Sequence, residues 1–155
     1  MNWMTFVGPT FTLQMPTDWL AMASPQFQAM LAAPGFDGKV RPNLIIAMRQ
    51  VQDDVTASAV ADSTRATQEK EYPEYRVVSE QDYAAEDSQG VLRVYEWHDT
   101  AQDKRLRQVQ VYFIAGRTLY TITATRALDS TQGEALDQVF NTMLQSFAAK
   151  PLQFD

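Results

Sequence analysis

Residues 106–125 read LRQVQVYFIAGRTLYTITAT, and the class of fold is decided there. Leu106 to Ala115 and Thr118 to Thr125 are runs rich in β-branched and aromatic side chains, joined by the short turn Ala115-Gly116-Arg117. Such runs suit a pleated, half-buried surface, and so short a turn joins antiparallel neighbours. Toward the N-terminus, Tyr75 to Tyr83 and Val91 to His98 have the same character, so the whole stretch predicts an antiparallel meander. Toward the C-terminus, Leu136, Val139, Phe140, Met143, Leu144 and Phe147 recur at i, i+3, i+4 and i+7, which predicts a closing helix from about Ser130 to Ala148.

The first fifty residues predict shorter strands. Trp3 to Val7 precedes the Gly8-Pro9 turn, and Phe11, Leu13 and Met15 then alternate on one face until Pro16 stops the run. Trp19 to Ala23 and Phe27 to Ala32 predict a hairpin across Ser24-Pro25, with one or two helical turns over Gln26 to Ala32 as the alternative. Asn43 to Val51 holds the apolar run Leu44 to Met48. From Thr56, a plausible N-cap, no Gly or Pro occurs until Pro73, which predicts a helix of about three to four turns. Its thin apolar face of Ala59, Val60 and Ala66 must lie against something flat. Residues 1–155 thus form one α+β domain, a twisted antiparallel sheet covered by two helices, with no βαβ phosphate-binding unit.

Composition narrows the function more than it names one. The chain has 155 residues, 45% apolar and 21% charged, enough for a core without a staple. It has no cysteine, which excludes disulfides, Cys-bound zinc, iron-sulfur clusters and thiol nucleophiles. A single histidine, His98, closes any mechanism that needs two imidazoles in one chain. The net charge of -6, with twelve acidic against four basic residues in positions 51–100, disfavours nucleic acid and anionic membranes. The longest apolar runs, Trp19 to Ala23 and Leu44 to Met48, are far short of the roughly 20 residues that span a bilayer. The N-terminus carries no basic and apolar leader, so the expectation is a cytoplasmic protein with no direct membrane insertion.

No phosphate-binding loop, nucleophile elbow, zinc helix or calcium loop is present, and no catalytic residue, metal ligand or cofactor is nominated. His98 and Asp99 are adjacent and point to opposite faces of a strand, which is poor geometry for a triad. Lys104, Arg105 and Arg107 are too few for a nucleic-acid surface; protection of an edge strand or pairing with Glu96 fits them better. Six of the seven methionines fall in the first 48 residues, among Trp3, Phe6, Phe11, Trp19, Phe27 and Phe36. Flexible thioethers mixed with aromatics suit either an adaptable binding groove or core packing. On this basis the chain is read as a non-catalytic module that engages a protein partner through an apolar sheet surface near Trp19, Met22, Phe27 and Met30. The competing reading is a small-ligand binder or weak acid/base enzyme using Asp82, Glu86 or Glu96 in a pocket between helix and sheet.

The strand Phe11 to Met15 with Pro16 and Trp19 after it, the strand opening at Asn43, Gln108 to Phe113, Leu119 to Thr123, and the helix ending in Ser146-Phe147 together resemble the PsbP-like, DcrB-like α/β/α sandwich superfamily. The resemblance spans nearly the whole chain and rests on structural motifs. It implies a mostly non-enzymatic group: photosystem accessory subunits, a Ran-binding transport factor, envelope lipoproteins, and Eag-type chaperones that hold transmembrane helices of secretion effectors. The absence of a lipobox cysteine departs from the lipoproteins. The chaperone branch implies a homodimer presenting an apolar sheet to a client helix, and an accessory subunit of a larger complex differs only in its partner.

Overall fold

The computed structural model describes residues 1–24, 27–85 and 88–150. Four short strands open the chain: β1 (Trp3–Val7), β2 (Phe11–Pro16), β3 (Leu20–Ser24) and β4 (Phe27–Ala32). They are followed by β5 (Asn43–Gln50), α1 (Ala57–Glu71), β6 (Arg76–Ala85), β7 (Ser88–Asp99), β8 (Lys104–Ala115), β9 (Thr118–Ala127), α2 (Gly133–Gln145) and β10 (Ala148–Ala149). The predicted meander is β6 to β9, and the predicted N-terminal hairpin is β3 and β4, so the strand reading of residues 27–32 holds over the helical one.

The strands form two antiparallel sheets rather than one. Seven are ordered β3-β4-β5-β9-β8-β7-β6, and a smaller sheet is ordered β1-β2-β10. The second sheet exists because α2 stops at Gln145, short of the Ala148 expected, and the chain straightens to pair Ala148 and Ala149 with Thr12 and Phe11. Ser146 makes that stop. Its hydroxyl donates to the Met143 carbonyl at 2.8 Å and accepts from the Gln14 backbone N–H at 2.8 Å, tying the helix end to β2. Thr56 is the N-cap of α1, accepting from Ala59 N–H at 3.1 Å, as the sequence indicates.

Strand alternation gives the large sheet two faces. One carries Leu44, Ile46, Val111, Phe113, Tyr120, Ile122 and Ala124, all almost fully buried beneath α2 and the small sheet. Phe11, Leu13 and Met15 of β2 and Phe140, Met143, Leu144 and Phe147 close this core from the other side. The Phe147 ring lies 5.9 Å from Phe11, 5.2 Å from Tyr120 and 5.9 Å from Phe113, so one side chain joins the two sheets. Gly90 permits the closest strand approach, since a Cβ there would sit 2.3 Å from the Tyr112 carbonyl oxygen.

Candidate functional site

The second face of the large sheet is covered only in part. Helix α1 lies across β7 and β8, where Ala57 and Ala61 bury Tyr112 with Val60, Val91 and Ile114 at the margin. This is not the Ala59, Val60 and Ala66 face expected: Ala59 and Ala66 are exposed, and Gln68 is buried instead. Gln68 is pinned by polar partners, its amide donating to the Gln110 carbonyl at 3.0 Å and accepting from the Tyr75 hydroxyl at 2.8 Å. Tyr112 also donates to Gln110. Burial pushes the Tyr95 and Tyr112 hydroxyls far above their ordinary range, so both remain neutral hydrogen-bonding groups at any physiological pH. From there a row of amide-to-hydroxyl bonds crosses to β9, Gln110 to Thr123 at 2.9 Å and Gln108 to Thr125 at 2.9 Å.

Beyond that row, no element among the described residues lies on β9, β5, β4 and β3. The register places Met22 opposite Met30, Met30 opposite Ile45, and Ile45 opposite Thr123. Leu20 and Ala47 share this face by alternation. Leu20 is 53% and Met22 46% exposed, while Met30, Ile45, Ala47, Thr121 and Thr123 are half-buried. The strip is also free of charge over most of its length: from Trp19 to Phe36 the sequence contains no Asp, Glu, Lys, Arg or His. At the foot of α1 it meets a groove of about 210 Å³ lined by Arg49, Val55, Ala59, Val60, Ser63 and Thr64.

Of the four residues nominated from sequence, Met22 and Met30 face each other on this strip, and Phe27 is half-buried at the start of β4, opposite Ser24. Trp19 is a correction. It precedes β3, is 8% exposed and packs edge-on against Phe140 at 6.1 Å, so its bulk belongs to the core beneath the other face. Leu20, Ile45 and Ala47 were not nominated; the alternation of Leu44, Ile45 and Ile46 held the signal, but the register that joins Ile45 to Met30 is visible only in the folded sheet.

Asp82 and Glu96, the carboxylates of the competing reading that lie among the described residues, do not converge. Asp82 pairs with Val91 on the α1 side and is the one acidic residue lining a cavity of about 210 Å³ beside Thr56 and Ser58. Glu96 points to the opposite face, where it accepts from Arg76 at 2.5 Å and Arg107 at 2.8 Å. Burial raises the Glu96 carboxyl, but the hydrogen bonds and charges of the two arginines outweigh it and hold the group below its ordinary value. Glu86 lies outside the described residues. Arg107 therefore pairs with Glu96 as expected, whereas the edge-strand reading of Lys104 to Arg107 fails because β8 is internal, between β9 and β7. His98 bridges two carboxylates, Glu74 at 2.9 Å and Asp103 at 3.3 Å, at the end of the β7–β8 hairpin. No group of three or more potential metal ligands forms among the described residues, and no helix there is long and apolar enough to cross a membrane.

A seven-stranded antiparallel sheet with a helix on each face, extended by a small sheet, is the PsbP-like α+β sandwich. The DcrB family model matches residues 12–145, and the chain belongs to the DcrB family. The fold is shared with three solved structures at low identity. LpqN of Mycobacterium tuberculosis, described as involved in cell envelope biogenesis, has a TM-score of 0.74 at 12% identity, covering 97% of this chain and 91% of LpqN. Cyanobacterial PsbP from Synechocystis has a TM-score of 0.69 at 14% identity, covering 96% and 92%. The Ran-binding protein Mog1p of Saccharomyces cerevisiae has a TM-score of 0.65 at 11% identity, covering 96% and 95%. No curated protein sequence matches the chain.

Proposed function

We propose that this protein is a non-catalytic binding module that receives an apolar helix of a partner protein on the open strip of β3, β4, β5 and β9. The observation that carries the reading is the width of that strip. Three inter-strand spacings separate β9 from β3, about 14 Å at the usual 4.7–4.9 Å per strand, and a helix with its side chains is about 10–12 Å across. One helix laid beside α1 fills the gap and completes the layer. The floor suits such an occupant: Met22 and Met30 adapt to varied side chains, Leu20 and Ile45 supply fixed apolar area, and the Gln110–Thr123 and Gln108–Thr125 rungs form a polar margin against α1. The description of Mog1p as Ran-binding supports a protein partner on this fold without identifying one here.

The test is binding of a dye-labelled synthetic Leu/Ala helix of about 15 residues, matching strands of roughly 20–25 Å, followed by fluorescence anisotropy. Wild type is expected to bind it, and Met30→Glu or Ile45→Glu to weaken binding at least about tenfold, since each places a charge on a face that must desolvate. Both variants should keep the wild-type circular dichroism spectrum. Absence of binding by wild type, or equal binding by folded Ile45→Glu, overturns the reading.

A further inference from the structure

Helix α2 does not cover its face of the sheet over the full width, and a cleft opens there, on the opposite side from the strip described above. Along β7 and β8, Leu92 stands opposite Val111, Val94 opposite Val109, and Glu96 opposite Arg107. Leu92, Val94 and Val109 are half-buried, and with Phe140 and Leu144 of α2 they line a cleft of about 180 Å³. Arg107 lines its other end, so the cleft runs from an apolar floor to a charged margin; Leu92 and Glu96 lie about 13 Å apart along β7. The charges at that margin are unevenly matched. Arg126 holds Asp137 through two bonds, at 2.7 and 3.0 Å, and Arg76 and Arg107 both hold Glu96, so three guanidiniums face two carboxylates. Arg107 is under-used: one terminal nitrogen donates to Glu96 at 2.8 Å, while its Nε is buried with no hydrogen-bond partner, 3.8 Å from Asp137. A buried donor without an acceptor is costly, and a guanidinium with donors to spare beside an apolar floor is suited to receive an anion.

We infer that this cleft is a binding site for a small apolar carboxylate, its carboxylate group on Arg107 and its apolar body along Val109, Val94 and Leu92. Size, lining and charge each support this. A dry cavity of about 150 Å³ lined by Leu, Ile and Phe takes up one benzene ring, so a cleft of about 180 Å³ suits a single ring or a chain of about six carbons. The floor and the α2 wall are apolar, as small-molecule sites mostly are, and the polar groups that would fix orientation lie at one end. A carboxylate accepts paired N–H groups from a guanidinium, and it cancels the one positive charge in excess among Arg76, Glu96, Arg107, Asp137 and Arg126. An ammonium would add to that excess, and an uncharged alcohol would leave it unmet. The site is independent of the helix-binding reading, since Leu92, Val94 and Val109 lie on the other face of the sheet.

The probes that test this are hexanoate, hexan-1-ol and hexylammonium, which share a chain and differ in head group, each titrated at neutral pH into the ¹⁵N-labelled full chain. Hexanoate should shift the amides of Leu92, Val94, Val109 and Asn141 and saturate with a dissociation constant at or below about 1 mM. The alcohol should bind at least about tenfold more weakly, and hexylammonium should not saturate. Arg107→Gln should weaken hexanoate to the level of the alcohol and leave the alcohol unchanged, a split that a general loosening of the fold would not produce. Asn141→Trp, at an exposed position of α2 on the rim, should fill the cleft and abolish binding of both. Circular dichroism confirms that each variant is folded. An alcohol bound as tightly as hexanoate, hexanoate shifts absent from Leu92, Val94 and Val109, or a folded Asn141→Trp that binds hexanoate like wild type overturns the inference. Binding of the synthetic helix is read on the other face, so failure of either result leaves the other standing.

Discussion

The two faces of the seven-stranded sheet are built by different rules. Under α2 and the small sheet the floor is almost wholly buried and apolar around Phe147, where rings from both sheets meet, with Glu96, Arg107, Arg126 and Asp137 forming a charged margin. Under α1 the layer is held by hydrogen bonds among Gln68, Tyr75, Gln110 and Tyr112, and beyond Thr123 the floor is apolar again but uncovered. A face that only had to be closed would bury its apolar residues under its own elements, as the first does. Where apolar residues lie outside the covered area and polar ones mark its limit, the arrangement suits a surface meant to be covered by something else.

This contrast can be broken by substitution. Phe147→Ala, on the covered face, should lose about 3–5 kcal/mol of stability in urea denaturation, because it opens a cavity between the two sheets. A loss below about 1 kcal/mol would mean the sheets are not joined there. Gly90→Ala should cost about 1–3 kcal/mol by forcing β7 off the Tyr112 carbonyl, which the same titration reads. Arg93 sharpens the comparison from the α1 side. It is fully buried, its Nε donates to Glu80 at 3.0 Å, its guanidinium carbon lies 5.7 Å from the centre of the Tyr112 ring, and its terminal nitrogens make no well-formed hydrogen bond. Arg93→Met should therefore change stability by no more than about 1 kcal/mol in either direction, since Glu80 is left at the surface, where water can solvate it. A loss above about 3 kcal/mol would show that the buried charge is a structural keystone.

The acid limb of stability should report Glu96 with a smaller effect. Its carboxyl is held down in the folded chain by Arg76 and Arg107, so the stabilisation is present above the unfolded value, near 4.5, and is lost as pH falls through the lower folded value. Glu74 and Asp103 contribute in the same direction, each lowered by a hydrogen bond, Glu74 first by His98 and Asp103 first by Lys39. Glu96→Gln should flatten part of the decline of melting temperature below about pH 4.5 and leave the neutral plateau's slope unchanged; an unaltered acid limb would contradict the pairing. The smallest effect belongs to the open strip, where Met22→Ala should cost less than about 1 kcal/mol.

Local chemistry made most of the fold legible. Alternation at Phe11, Leu13 and Met15, the turn at Gly116, the Thr56 cap and the stripe from Leu136 to Phe147 each depend on neighbours in sequence, and each element forms where those signals lie, except that α2 stops at Gln145 and leaves Phe147 beyond its end. The division into two sheets was not legible: β1 and β2 show as strands in the sequence, but Ala148 and Ala149 carry no strand signal of their own and pair only once Ser146 has tied α2 to β2. The candidate site was half legible: methionine enrichment singled out Met22 and Met30, but nothing local distinguishes them from Trp19, which the chain's path turns inward onto Phe140. Leu20 and Ile45 join the strip through the β3–β4–β5 register, a long-range property.

The most direct measurement is a ¹⁵N amide chemical-shift titration of the full chain with the synthetic Leu/Ala helix. The account predicts shifts confined to β3, β4, β5 and β9 and to the flank of α1 around Ala59, Ser63 and Thr67. Shifts centred instead on the far side of the sheet, around Leu92, Val94 and Val109, or no shifts at saturating peptide, would contradict it.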